Sequence, residues 1–260
     1  MNYQFIKVNQ LGGVLEIRLN RPEVLNSFVM PMAKELQEAL DIAASNKSIR
    51  SVLLTGEGRG FCAGQDLAEA IQDNGPKISE IVHKTYNPII TKIRDLEKPV
   101  ICAVNGVAAG AGANIAFACD ITLAAESATF VQAFSKIGLI PDSAGTYFLP
   151  RLIGVQKATA LMMLAEKLPA VEAEKLGLIY KVVADAELYN EAFKIADSLA
   201  NMPTVGLGLT KRAINLGLNN NLIQQLEVEA VLQELASESY DHKEGVKAFL
   251  EKRKPEFKGE

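Results

Sequence analysis

Cysteine and histidine, the usual carriers of a metal centre or an activated nucleophile, are scarce here: three of one and two of the other in 260 residues. Cys62, Cys102 and Cys119 are odd in number, sit among small apolar neighbours and show no metal-ligand spacing. That argues against a disulfide framework or a zinc site and predicts buried thiols in a reducing compartment. His83 and His242 have no serine or cysteine partner in a recognisable motif and read as surface residues. No apolar run is long enough to span a bilayer. The start, Met1-Asn2-Tyr3-Gln4, has no basic stretch before an apolar core, so the expectation is a cytoplasmic protein without a secretory signal. Net positive charge is missing too. At −4 the chain is a poor general nucleic-acid binder, and Lys252-Arg253-Lys254 is too short a basic cluster to change that. No glycine-rich loop carries the lysine of a phosphate-binding P-loop, which leaves nucleotide hydrolysis unsupported.

What is present is an ordinary globular composition, 48% hydrophobic and 22% charged, with enough chain for one large or two small domains. Phe5-Ile6-Lys7-Val8 and Val14 to Leu19 read as two strands about Gly12-Gly13. Met32, Leu36, Leu40 and Ala43 recur on one helical face. Ser51 to Thr55 and Val100 to Val104 are short buried strands, each running toward a glycine turn. Lys77 to Lys98 reads as a helix broken at Pro88. Ile115 to Cys119 continues a short helix into the strand Ile121 to Ala124. Strand, strand and helix recur over residues 1–200, which suits an α/β architecture of stacked strands with helices outside. Residues 201–260 are a separate helical region, within a stretch of nearly continuous helical patterning that begins near Glu187. In the segment Leu222 to Ser237, Val228, Val231, Leu232 and Leu235 mark one apolar face, and Leu222, Ile223, Leu226 and Ala230 widen it. Such a helix needs cover from the parent core or from another subunit.

Two glycine-rich stretches carry the chemistry: Phe61-Cys62-Ala63-Gly64-Gln65-Asp66-Leu67 and Val107-Ala108-Ala109-Gly110-Ala111-Gly112-Ala113. Each follows an apolar run and leads into a sequence able to begin a helix. Turns of this kind leave backbone N–H groups without partners, and two of them converging would make an oxyanion hole. Glycine turns also serve tight strand–helix packing, but two in this order, with Pro141-Asp142-Ser143 downstream, favour a site.

These turns, the Asn105-Gly106 lead-in and the closing segment from Phe249 to Phe257 resemble the enoyl-CoA hydratase/isomerase (crotonase) family along essentially the whole chain. The resemblance implies a crotonase-type spiral of ββα units with a C-terminal helical region used in trimerisation, as a homotrimer or a dimer of trimers. It implies an acyl-CoA thioester as substrate, with no separate cofactor and no metal. By the same resemblance the backbone N–H groups of Gln65 and Ala111 form the oxyanion hole, with Ala63, Asp66, Gly110, Phe134 and Leu139 around the substrate. Small residues at 110 to 112 let a thioester approach the backbone closely.

Departures from the family pattern narrow the reaction. Hydratases of the family use two glutamates, and Asn114 and Phe134 stand at those positions, neither able to act as a general base. Asn114 remains either a hydrogen-bonding contact to substrate or water or a packing residue. Asp142, where hydratases carry a small residue, is an added carboxylate, and one base beside an oxyanion hole suits an isomerase. An apolar setting including Phe134 and Ile140 is expected to raise its pKa. Aspartate before Ser-Ala-Gly-Thr also fits a helix N-cap. The run from Phe130 to Asp142 is similar to the subgroup that turns an epoxidised phenylacetyl-CoA into an oxepin-CoA and shifts double bonds in unsaturated acyl-CoAs, though Ser143-Ala144-Gly145 is less glycine-rich than that subgroup leads one to expect. A hydratase using Asp142 and a water, and a non-catalytic scaffold subunit, are the alternative readings. Arg21 to Asn26 resembles the family's loop near the CoA nucleotide. Lys252 resembles a basic residue that reaches the CoA phosphates from a neighbouring subunit, and reads equally as a solvated lysine.

Overall fold

The structure, a computed structural model, describes residues 3–70 and 75–260. Met1 and Asn2, part of the N-terminal reading above, lie outside the described residues. The chain opens with the hairpin β1 (Ile6–Leu11) and β2 (Val14–Leu19), paired antiparallel about the expected glycine turn. Helix α1 (Met30–Ser45) follows, burying Met32, Leu36, Leu40 and Ala43 on the face its periodicity marks.

Three strand pairs then repeat: β3 (Ser51–Gly56) with β4 (Gly60–Cys62), β5 (Val100–Val104) with β6 (Val107–Ala109), and β7 (Ile121–Ala125) with β8 (Thr129–Val131). Between the first two pairs lie α2 (Leu67–Ala70), α3 (Ile78–Ile81), a π-helical turn at Val82–Tyr86 and α4 (Asn87–Asp95). Helix α5 (Ala111–Ala118) joins the second pair to the third. Helices α6 (Gly145–Ile153) and α7 (Val155–Leu164), strand β9 (Lys167–Pro169), helix α8 (Ala170–Lys175) and strand β10 (Lys181–Val183) complete the spiral.

The first strand of every pair joins one sheet and the second joins another. Among the described residues the sheets run β1-β2-β3-β5-β7-β10 and β4-β6-β8-β9, parallel except at β1–β2 and β8–β9. Strands buried on both faces read as continuous apolar runs; β3 and β5 are buried at every residue.

Of Lys77–Lys98, residues 78–95 are helical, and the helix is not broken at Pro88. The irregularity falls earlier, where the Asn87 N–H reaches back five residues to the Val82 carbonyl. Pro88 occupies the first turn of α4, where a missing N–H is tolerated. The Lys84 carbonyl, which an N–H at position 88 would have served, instead accepts from the Gln37 side chain at 2.9 Å.

Helix α9 (Leu188–Ala200) packs on β3, β5 and β7, and α10 (Thr204–Gly217), α11 (Leu222–Ser237) and α12 (Tyr240–Glu251) form the C-terminal part. Lys211 of α10, buried, fastens that part to the spiral through Asp120 at 2.7 Å, which also takes Arg94 at 3.2 Å. In α11 only Leu232 is buried; Leu222 and Ile223 are 72% and 68% exposed, so one chain covers little of this helix. No helix among the described residues is long and apolar enough to cross a membrane.

Candidate active site

Strand β4 ends at Cys62, and the chain turns through Gly64 at φ +89° before Gln65. Phe28 brackets this turn: its N–H donates to the Gly64 carbonyl at 2.7 Å and its carbonyl accepts from the Asp66 N–H at 2.8 Å. The Gln65 N–H between them has no acceptor among the described residues. The second turn is built differently. Gly110, at φ +52°, spends its N–H on the Val131 carbonyl, and Ala111 is the first residue of α5. A first helical residue has no intrahelical acceptor, and the Ala111 N–H finds none elsewhere among the described residues.

The turns meet. A Cβ built on Gly64 would stand 3.0 Å from the Ala109 carbonyl oxygen and 3.8 Å from the Ala111 nitrogen. A Cβ on Gly112 would stand 2.5 Å from the Cys62 carbonyl oxygen, so α5 can close on β4 only with glycine there. Cys62 is one of three buried free thiols, and burial pushes it up to about 12, which makes it packing rather than a nucleophile. Two unpartnered N–H groups therefore face one space, the second reinforced by the dipole of α5.

That space is a cavity of about 210 Å³. Ala63, Gln65, Gly110, Ala111, Phe134, Leu139 and Asp142 line it, which gathers most of the residues singled out from sequence. The Phe134 ring lies against the second turn, 3.5 Å from where a Gly110 Cβ would be. Leu139 and Ile137 supply the apolar wall expected of Ile140. Ile140 itself is 81% exposed and lies outside the lining, on the solvent side of the loop that follows the left-handed Gly138.

Asp142 is the one acidic side chain among the described lining residues. Burial raises its carboxyl above the usual aspartate range, opposed by hydrogen bonds from Ser143 and from its own backbone N–H. It does not cap α6, which begins at Gly145 after Ala144 with no side-chain cap. Its carboxylate Oδ1 instead accepts from the Ser143 hydroxyl at 2.8 Å.

Asn114 is fully buried and lies outside the lining. Its Nδ2 donates to the Asp142 carbonyl at 2.9 Å, and its Oδ1 accepts from Gln132 Nε2 at 2.8 Å. Of the two readings of Asn114, the geometry is that of a brace behind the Asp142 loop. Asp66 is likewise outside the lining, paired with Arg21 at 3.0 Å and accepting from the Ala68 N–H. Arg21 also donates to the Ser27 carbonyl, so the Arg21–Asn26 loop is tied to the first turn. Lys252 is exposed beyond the last turn of α12, at φ +55°, and is not part of the lining.

Tyr86 is a polar lining residue that sequence reasoning missed. It is 1% exposed and stacks edge-on against Phe28, and its hydroxyl donates to Gln65 Oε1 at 2.7 Å. Gln65 Nε2 in turn donates to Glu69 at 2.9 Å. Burial, then the charges of Cys62, Asp142 and Glu69, hold the Tyr86 phenol well above its ordinary value. Its only signal in the sequence is its place just before Asn87-Pro88, where the π turn rotates the side chain inward. Among the described residues no three His, Cys, Asp or Glu side chains converge as metal ligands.

Two main-chain donors and one half-buried carboxylate lining the same cavity can hold a carbonyl oxygen while a neighbouring carbon loses or gains a proton. Known proteins with the same sequence pattern cover this chain end to end. A 1,2-epoxyphenylacetyl-CoA isomerase of Escherichia coli is 49% identical over 259 residues, 98% of this chain and 99% of its own length. A Rhodobacter capsulatus protein named "probable enoyl-CoA hydratase" is 42% identical over the whole of both chains. The crystal structure of an enoyl-CoA hydratase from Bacillus anthracis superposes with a TM-score of 0.91 at 36% identity, over 99% of this chain and 100% of that one. Residues 9–260 match the family described as enoyl-CoA hydratase/isomerase, and the chain belongs to that family.

Proposed function

We propose that the protein is an acyl-CoA isomerase working through a thioester enolate, with 1,2-epoxyphenylacetyl-CoA going to oxepin-CoA, a β,γ to α,β double-bond shift, or both as its reactions. The observation that carries this reading is the solitary carboxylate: Asp142 is the one acid among the described residues lining the cavity that also holds two free N–H donors. A thioester α-hydrogen becomes acidic because the carbanion delocalises onto the carbonyl oxygen, and the N–H groups of Gln65 and Ala111 stabilise that oxygen. Each such donor contributes about 3–4 kcal/mol to the transition state. Asp142 takes the proton from one carbon and returns it to another, so the product has the composition of the substrate. Burial of the carboxyl favours this role, since a raised pKa makes a stronger base. The 49% identical isomerase supports the ring-epoxide substrate.

The uncovered apolar residues of α11, Leu222, Ile223, Leu226 and Val231, fit a subunit contact, and we read the enzyme as a homotrimer or dimer of trimers. Light scattering on the assayed sample gives the stoichiometry.

The experiment is turnover of a β,γ-unsaturated acyl-CoA in deuterated water, read by mass spectrometry and NMR. Conversion to the conjugated isomer is expected, and Asp142→Asn is expected to lower kcat by about 10³-fold while still binding the CoA ester. Near-normal turnover by the variant removes Asp142 from the mechanism. Incorporation of solvent oxygen would mean hydration, the chemistry named for the 42% identical relative.

A further inference from the structure

Ser143 follows the candidate base and is 1% exposed. Its hydroxyl does not serve α6, which begins two residues later without a side-chain cap. It turns back and donates to Asp142 Oδ1 at 2.8 Å. To do so the backbone holds Ser143 at φ +51° and Ala144 at φ +59°, consecutive left-handed residues that both carry a Cβ. Glycine at position 143 would relax that turn and lose the hydroxyl. The remaining contacts of the loop go to the main chain: the Asp142 carbonyl takes Asn114 Nδ2 and the Gly145 N–H, both at 2.9 Å. These fix where the loop lies; on the carboxylate itself, whose last torsion is broad and roughly two-fold, only its own backbone N–H bears besides Ser143. Ser143 supplies the one side-chain hydrogen bond to that carboxylate among the described residues.

We propose that Ser143 is a positioning residue for proton transfer: by holding Oδ1 of Asp142 it fixes the carboxylate plane and leaves Oδ2 as the oxygen that takes and returns the substrate proton. The inference rests on Asp142 being the base. The hydrogen bond survives the cycle, because Oδ1 remains an acceptor when the proton sits on Oδ2. It is stronger to the charged carboxylate than to the neutral acid, so it also opposes the effect of burial on Asp142. Tyr86 from the π turn and Lys136 from the segment Ala133–Ile137 line the same cavity. Glu69 of α2 stands behind them on Gln65. None of the three donates to Asp142. A proton that is lifted from one carbon and set down on another needs one oxygen held in one place; a carboxylate free to flip would present either oxygen.

The test compares Ser143→Ala with Ser143→Gly in the full-length protein. Both remove the hydroxyl, but alanine keeps the left-handed strain and glycine, at ease at this φ, relieves it. Two readouts are taken: the Asp142 carboxyl titration by ¹³C NMR, and the pH dependence of kcat with a β,γ-unsaturated acyl-CoA. In both variants the titration midpoint and the acid limb of kcat should move together to higher pH. At about pH 5 the rate should then fall roughly tenfold below the unmodified enzyme, the effect of one hydrogen bond to a charged group. KM should stay unchanged, since neither variant touches the N–H donors. An unmoved midpoint overturns the proposal, and so does a shift in one variant only, which would belong to the backbone. If the midpoint moves while the acid limb stays, Asp142 is not the base. The proposed function then fails with it, whereas the first two outcomes, with Asp142→Asn inactive, leave that function standing.

Discussion

The two sides of the cavity are built on opposite principles. The donor side is main chain held by regular structure: one N–H sits beside a bridge to Phe28, and the other opens a helix whose eight residues are all buried. The carboxylate side is a side chain on an irregular loop, with Ser143 and Ala144 both left-handed and two buried amides, Asn114 and Gln132, standing behind it. Regular elements place donors that must not move. The loop stores local strain, of order 1 kcal/mol per left-handed residue, to put a charge where no helix or strand would put one. Damage to the donor side should therefore weaken binding and rate together, and damage to the loop should reach rate alone.

After loss of the Asp142 carboxylate itself, the largest effect is expected from Gly64→Ala. A Cβ there meets the Ala109 carbonyl oxygen at 3.0 Å, and φ +89° is strained for any L residue. The turns must part, which misaims the Gln65 N–H and costs about 10²-fold in kcat/KM. Steady-state kinetics with the unsaturated acyl-CoA should show KM rising and kcat falling. A rise in KM with kcat intact would mean that the donors bind substrate and transition state equally, and the contrast between the two sides would collapse.

A smaller effect is expected from Asn114→Ala, which removes one of the two donors to the Asp142 carbonyl and leaves Gln132 Nε2 without its acceptor. Loosening of the loop should lower kcat about tenfold with KM unchanged, since a side chain held loosely loses effective concentration rather than binding. Calorimetric affinity for a saturated acyl-CoA checks the binding half. Affinity that drops with the rate would return Asn114 to the role of a substrate contact.

How far the sequence shows all this follows the same division. The donor side was legible because local rules write it: buried parallel strands appear as apolar runs, a tight approach demands glycine, and α1 displays its face at 3.6-residue spacing. The carboxylate side was legible only as a lone aspartate. Whether Asn114 faces substrate or loop depends on Asp142 and Gln132, 28 and 18 residues away, which no periodicity reports. Ile140 reads as inside because it is apolar, yet it sits in the irregular loop after Gly138, where no periodicity assigns a face, and it is exposed while Leu139 beside it lines the cavity. Pro88 pointed to a break, but a π turn and the Gln37 side chain absorb its missing hydrogen bond. Tyr86 was missed for the same reason: the turn that aims it is a departure from helical spacing.

The smallest expected effect concerns stability. Burial raises the Asp142 carboxyl, so the folded state holds its proton more tightly than the unfolded chain does. The neutral acid is therefore the form that favours folding. Whatever this group contributes is fully present below its unfolded pKa and is lost as pH rises through the raised folded value, above which the fold carries a desolvated charge. Asp142→Asn removes that charge while keeping the shape, and the Asn114 contact is to the main chain and survives. The variant should melt higher than the unmodified protein at pH 8, by about 2–4 °C if roughly 1 kcal/mol is recovered, and the gain should vanish in acid. Thermal scans at matched protein concentration across that range check it. A gain that persists at low pH would come from packing rather than charge, and a loss would mean that the ionised carboxylate holds the loop together. Read with the kinetics, a variant that is slower and yet more stable would place the cost of the reaction in the loop, where the strained backbone already lies.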